Sequence, residues 1–260
     1  PGQHATLHAI ATAPSQVTRA AEMDARLTFE DVQLFLAFDP STREVAARGH
    51  VTLRNTGSRP IDSVQLSASY AVTWLEVSAA PNKVRLGPAG SIELPLPAQL
   101  PSGDSVVLEF EAKVRETVWT RSPRLTRNFA FLGSDSFLPC VGANPSLSAT
   151  TKVNRELVEG DSGSMLGCGW GKSTLRAELT APATLRAVGS GAEVGHRSSN
   201  SIAVTTFESK VPVVALWGFG WGQWVSQSAH TSVARVDMLS APGHRSNASR
   251  LLAAAKQAIA

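Results

Sequence analysis

Val106-Val107-Leu108-Glu109-Phe110-Glu111-Ala112-Lys113-Val114 is the stretch that decides the fold. Val106, Leu108, Phe110, Ala112 and Val114 take every second position with Glu109, Glu111 and Lys113 between them, the period of a strand with one buried and one solvated face. The turn Pro101-Ser102-Gly103-Asp104 precedes it, and Ile92 to Leu96 lies before that. Working outward, the same grammar of short apolar runs and turn residues recurs. Leu27 to Phe38, then Asp39-Pro40-Ser41, then Ala46 to Leu53, then Asn55-Thr56-Gly57-Ser58 read as strand, turn, strand, turn. Ile61 to Leu66, Val72 to Val77 and Val84 to Leu86 continue the series. After a looser stretch from Arg121 to Gly171, rich in Ser, Gly and Pro and read as loops crossing between sheets, the strands resume. They run from Ser173 to Leu179, Thr184 to Val188, Ile202 to Phe207 and Val211 to Phe219, with Gly189-Ser190-Gly191 and Ser198-Ser199-Asn200 as turns. Many short strands with regular turns predict a mainly β protein, an antiparallel β-sandwich.

The two ends differ in kind. Residues 1–22 are rich in Ala, Thr and Gln, broken by Pro14, and are expected to form a loosely ordered leader. The chain begins at Pro1 without a signal-peptide pattern, which is expected of a processed or excised product. At the other end, Ser246 or Asn247 can cap a short C-terminal α-helix after Pro242-Gly243, and Leu251, Leu252, Ala255 and Ile259 fall on one helical face.

Composition narrows the function classes. The chain has 260 residues, 43% hydrophobic and 17% charged, with a mean hydropathy of −0.02, which is the profile of a globular protein large enough to bury a core. Twenty-four Lys and Arg against 21 Asp and Glu give a net charge of +3, and the basic residues are scattered. A nucleic-acid partner would need a clustered basic stripe with interleaved aromatics, so none is expected. No apolar run reaches the length of a membrane span, so this chain is not expected to insert in a bilayer.

Few motifs carry chemistry. Gly171-Lys172-Ser173-Thr174 imitates the end of a phosphate-binding loop, but Leu166 stands where that loop needs its first Gly, so a turn at the start of a strand is the better reading. His4 and His8 have the spacing of two helical zinc ligands, yet Ala5 replaces the general-base Glu. Gly-x-Ser-x-Gly does not occur, and His50, His196, His230 and His244 read as surface or hydrogen-bonded side chains. No catalytic and no metal-ligating residue is assigned. Cys140 and Cys168, the two cysteines, either form a disulfide or remain buried thiols. The most informative stretch is Trp217-Gly218-Phe219-Gly220-Trp221-Gly222, followed by Trp224. On a strand it puts aromatics on one face and bare backbone on the other. Trp217, Phe219, Trp221 and Trp224 are either an exposed platform for a peptide or sugar, or rings filling a core or a domain junction; the second is favoured because such rings bury large areas.

Several stretches, in order, resemble the zinc aminopeptidase family typified by aminopeptidase N. Val32 to Asp39, Arg48 to Gly57 and Pro60 to Leu66 are similar to the opening hairpin and next strand of that family's N-terminal β domain, and Pro95 to Phe110 to its next strand pair. Phe137-Leu138-Pro139 with Val141-Gly142-Ala143-Asn144-Pro145 resembles the loop of the subgroup fused to bacterial ABC-type permeases. Lys172 to Leu179 with Ala187 to Gly191 is similar to a late strand and turn, and Pro242 to Asn247 leading into Leu251 to Lys256 to the first segment of the catalytic domain.

The resemblance implies a saddle-like sandwich over residues 23–225 and the start of a thermolysin-like catalytic domain, a strand and a helix, over 226–260. The family's His-Glu-x-x-His, its downstream Glu and its Gly-x-Met-Glu-Asn strand are absent from residues 1–260, so no catalytic residue is carried over. The chain is expected to be a non-catalytic scaffold that helps wall the substrate cavity, with no cofactor of its own and zinc only in the remaining catalytic domain. That domain is the expected partner, with a peptide or protein as a further one. The implied location is the periplasmic or extracytoplasmic face of a bacterial membrane, where the parent would be tethered. The competing reading is a stand-alone sandwich that recognises a protein or glycan through the Trp217 to Trp224 strand.

Overall fold

In the computed structural model, residues 27–116, 124–142, 171–214, 217–232, 235–240 and 245–259 are described. Strand β1 (Leu27–Asp39) pairs antiparallel with β2 (Glu44–Asn55), and β2 with β7 (Ser105–Arg115), the alternating stretch that predicted the fold. Leu108, Phe110, Ala112 and Val114 are buried and Glu109 and Glu111 exposed, as the alternation requires. In β1 the buried set is Leu27 and Phe29, then Val32, Leu34, Leu36 and Phe38. Its phase slips by one residue between Phe29 and Asp31, where a bulge shifts the register with β2 and keeps both halves facing the core.

Beyond β7 the sheet continues through β4 (Val72–Ala79) to β5 (Asn82–Leu86). On the other side, β1 pairs with β11 (Lys172–Pro182), β11 with β14 (Ile202–Val214), and β14 with the edge strand β13 (Ala192–Ser198). The result is eight strands in the order β13-β14-β11-β1-β2-β7-β4-β5. Every neighbouring pair is antiparallel except β1 and β11, which run parallel, a departure from the expected all-antiparallel arrangement. More than 130 residues of chain separate Leu27 from Lys172, so a crossover connection of the kind parallel strands need is available.

Two smaller sheets face this one. The first is β10 (Cys140–Val141), β3 (Ile61–Ser67) and β6 (Ser91–Leu100), the second β12 (Arg186–Gly189), β15 (Gly218–Gly222), β9 (Phe129–Gly133) and β8 (Arg124–Leu125). A single continuous apolar cluster joins the layers. The architecture is mainly β, a sandwich of one broad sheet over two narrow ones with no closed barrel. The expected loops between Arg121 and Gly171 are in part strands, since β8, β9 and β10 and a 3-10 turn at Ser134–Ser136 fall there. Residues 121–123 and 143–170 of that stretch lie outside the described residues.

One buried polar side chain fixes a corner of the sandwich. Asn55, fully buried at the end of β2, donates from Nδ2 to the carbonyls of Arg59 (2.9 Å), Leu100 (3.0 Å) and Pro101 (3.2 Å), and its Oδ1 accepts from the Gly57 amide at 3.0 Å. It thus ties the turn after β2 to the turn before β7 and leaves no polar atom orphaned.

The chain then leaves the sandwich. β16 (Val225–His230) and β17 (Arg235–Ser240) form a two-stranded sheet of their own, and the helix α1 (Arg245–Ile259) packs on it. Ser249 donates to Gln227 Oε1 at 3.0 Å. Ser246 and Asn247 are the second and third residues of the helix, which starts at Arg245, ahead of the expected caps. Ala248 is buried and Leu252 and Ala255 half-buried, a stripe at i, i+4 and i+7, whereas Leu251 is 57% exposed. No helix among the described residues is long and apolar enough to cross a membrane.

Candidate functional site

The aromatic strand is β15. Paired with β9 on one side and β12 on the other, it alternates strictly, so Phe219 and Trp221, with Trp217 just before, point to the sandwich interior. Phe219 and Trp221 are fully buried and Trp217 is 3% exposed. The Phe219 ring lies 6.1 Å from that of Phe137, and the Trp221 ring 5.8 Å from that of Phe38 on the broad sheet. These three rings therefore fill the space between the layers, and a ligand platform would need them exposed. Burial strands two donors, since Nε1 of Trp217 and Nε1 of Trp221 have no hydrogen-bond partner among the described residues.

The other face of β15 is not bare. A Cβ at Gly222 would sit 3.1 Å from the Trp224 ring, and one at Gly218 would sit 3.3 Å from the Phe131 ring. A side chain at Gly220 would meet the Ala130 carbonyl at 3.1 Å and the Trp224 ring at 3.5 Å. The glycines are seats: Trp224 folds back over Gly220 and Gly222, and Phe131 over Gly218. Trp224 is held there by a hydrogen bond from its Nε1 to the Arg186 carbonyl at 3.0 Å and by Phe129, whose ring meets it edge-on at 5.3 Å. Phe131 is 44% exposed and Trp224 half-buried. The outer face of this narrow sheet thus carries an aromatic surface made of Phe129, Phe131 and Trp224. Sequence reasoning missed the two phenylalanines, although Phe129-Ala130-Phe131-Leu132 alternates with the smaller residue at one inward position.

The remaining candidates are dispersed. Lys172, Ser173 and Thr174 open β11 in extended conformation, with no phosphate-cradling curl. His50 sits half-buried on β2 opposite Glu109 of β7, His196 on β13 bonds Thr205 Oγ1 through Nδ1 at 3.1 Å, and His230 ends β16. His4, His8 and His244 lie outside the described residues. Cys140 is buried in β10 and disulfide-bonded, and Cys168 lies outside the described residues. Among the described residues no three His, Cys, Asp or Glu side chains are grouped to hold a metal ion. The described residues thus offer no donor set that fits zinc.

Four carboxylates are tuned by their surroundings. Asp39 and Asp237, both exposed, are lowered chiefly by hydrogen bonds from Ser41 and Ser228; the other two are Glu44 and Asp135. Lys113 Nζ at 2.7 Å, then Arg115, hold the Glu44 carboxyl below the ordinary range. Asp135, in the 3-10 turn, is pushed upward by burial, only partly offset by its hydrogen bond from Ser136. The two lie on different elements, Glu44 on β2 and Asp135 in the 3-10 turn after β9, and no described histidine completes a relay with Asp135 and the neighbouring Ser136 hydroxyl, so no acid–base pair is formed.

No protein-family model matches the chain, and no curated protein matches it. Solved structures do. An M1 zinc metallopeptidase from Deinococcus radiodurans is 18% identical with a TM-score of 0.56, the match covering 82% of this chain and 46% of that one. A mutant of an M1 zinc metallopeptidase from the same organism, bound to a Tyr-Ser-Ala substrate, gives 17%, 0.53, 82% and 47%. A two-domain M1 zinc metallopeptidase mutant bound to L-arginine gives 18%, 0.56, 85% and 51%. The chain spans about half the length of these structures. At such identities the likeness speaks for architecture: the chain has the fold of the N-terminal region of M1 zinc metallopeptidases.

Proposed function

We propose that the chain is the non-catalytic β domain of a zinc aminopeptidase-like protein, residues 23–225, followed at 226–260 by the start of the catalytic domain, where the single strand expected is a hairpin of two strands ahead of the helix. The observation that carries this reading is the β16–β17–α1 unit. A two-stranded hairpin is marginal alone, and here no residue of β16 or β17 is fully buried. Leu251 stands bare on the helix, so the unit buries little of its own and calls for further elements to cover it. The exposed ring of Phe131, with Phe129 on the same strand, asks for cover in the same way, and a catalytic domain packed there would make β9 part of a cavity wall. Zinc, peptide hydrolysis and substrate choice then belong to residues outside this chain. The permease-fused subgroup, the extracytoplasmic location and Cys168 as the partner of Cys140 form the finer part of the proposal. The first two rest on the Phe137 to Pro145 resemblance, and the disulfide at Cys140 supports an oxidising compartment.

The test is hydrogen exchange on residues 1–260 alone and on the natural gene product. Slower exchange in the latter at 129–131, 225–240 and 245–259 is expected. Equal exchange, or a natural product that ends with this chain, would overturn the proposal.

A further inference from the structure

The edge strand β13 is unlike any other strand in the broad sheet, because none of its residues is buried. Glu193, His196 and Ser198 stand opposite Phe207, Thr205 and Ala203 of β14, all three buried, and so belong to the face that elsewhere in this sheet is apolar. Across from them lies the end of the narrow sheet, and between the two is a cavity of about 480 Å³. Its floor is apolar, from Leu185, Ala187 and Ala203, and Trp224 contributes a wall.

The polar groups around that floor are of both kinds. Glu193 offers acceptors, Arg186 donors and the Gln223 amide both, and among the described residues none of these three side chains has a hydrogen-bond or ion-pair partner. His196 is set in place, with Nδ1 held by the buried Thr205 hydroxyl at 3.1 Å, and Trp224 by its bond to the Arg186 carbonyl. One carboxylate and one guanidinium give the site no net charge. An anion would meet Glu193 and a cation Arg186, while an apolar ligand would leave the exposed polar rim unused. A neutral ring with an apolar face and a rim of hydroxyls satisfies the wall and the rim together.

We propose that this cavity binds a short neutral saccharide of one or two rings, with Trp224 against the sugar face and Glu193, His196 and Gln223 taking its hydroxyls. The proposal does not rest on the peptidase reading. Saturation-transfer NMR on the 260-residue chain with millimolar cellobiose, maltose and N,N'-diacetylchitobiose tests it. Transfer to the ring protons of at least one is expected, with affinity reduced tenfold or more in Glu193→Ala and in His196→Ala and unchanged in Glu109→Ala on the opposite face of the broad sheet. His196→Ala carries the test alone should Glu193→Ala aggregate, since inward charge on an edge strand also deters edge pairing. Absence of transfer from folded protein, transfer indifferent to both substitutions, or a free amino acid that binds more tightly with the same dependence on Glu193 would overturn it.

Discussion

Replacing Trp221 by Ala removes a ring with no exposure to water, in contact with Phe38 across the two layers. A tryptophan buries on the order of 200 Å², which at about 25 cal/mol per Å² is about 5 kcal/mol as an upper bound. Large aromatic-to-alanine changes in cores cost about 3–5 kcal/mol, so about 4 kcal/mol is expected. With a urea slope of about 2 kcal/mol per M, the unfolding midpoint falls by about 2 M. Trp221→Phe should be far milder, within about 1 kcal/mol of the parent. It keeps most of the ring contact and deletes an indole N–H that is buried without a partner among the described residues. Trp224→Ala, at a half-exposed ring, loses one hydrogen bond to Arg186 and the cover over Gly220 and Gly222, and should cost about 1–2 kcal/mol. Urea titrations followed by far-ultraviolet circular dichroism read all three. Equal midpoints for Trp221→Ala and Trp224→Ala, or a Trp221→Phe as damaging as Trp221→Ala, would refute the division of β15 into a core face and a seat face.

Other expectations follow from single contacts. Asn55→Ala takes the side-chain donor from the Leu100 carbonyl and leaves Pro101 only the Asp104 amide, and should cost about 1–3 kcal/mol in the same titration. Gly49→Ala puts a Cβ 1.9 Å from the Gln33 carbonyl oxygen, so β1 and β2 must part; a loss of about 3 kcal/mol or failure to fold is expected, and a stable, soluble variant would contradict the register. Glu44, depressed by Lys113 and Arg115, stabilises the fold above its unfolded pKa and loses that contribution as pH falls through its lower folded value, so Glu44→Gln should flatten the acid limb of a melting-temperature profile. Asp135 works the other way: its raised pKa makes the ionised form a cost at neutral pH that disappears below the unfolded value, so Asp135→Asn should raise the melting temperature at pH 7 and leave it unchanged in acid.

Much of the sandwich was legible because one-sided burial writes a period of two into β1, β2, β7, β11 and the first half of β14. Strand β13 was not, since Ala192–Ser198 buries no side chain and is held by its backbone ladder with β14 alone. The polar β16 and β17 show no apolar period for the same reason. Val211 to Phe219 looked like one strand, but its first part ends β14 and its last residues open β15 in another sheet; an apolar run does not show where a chain changes layer. The parallel pairing of β1 with β11 is likewise a property of topology, which periodicity does not encode. At the aromatic strand, the alternation of rings and glycines gave the two faces. What it hid was that Trp224, two residues past the strand, turns back onto the glycine face, because the seat is shaped by Phe129 from a distant segment.

The central claim, that this is the scaffold half of a zinc peptidase-like protein, is tested most directly by the natural coding sequence after Ala260 together with the zinc content of its product. The account predicts a His-Glu-x-x-His with a downstream Glu and one zinc per chain, held outside residues 1–260. A product with no such residues and no zinc, or one whose zinc stays with residues 1–260, would contradict it.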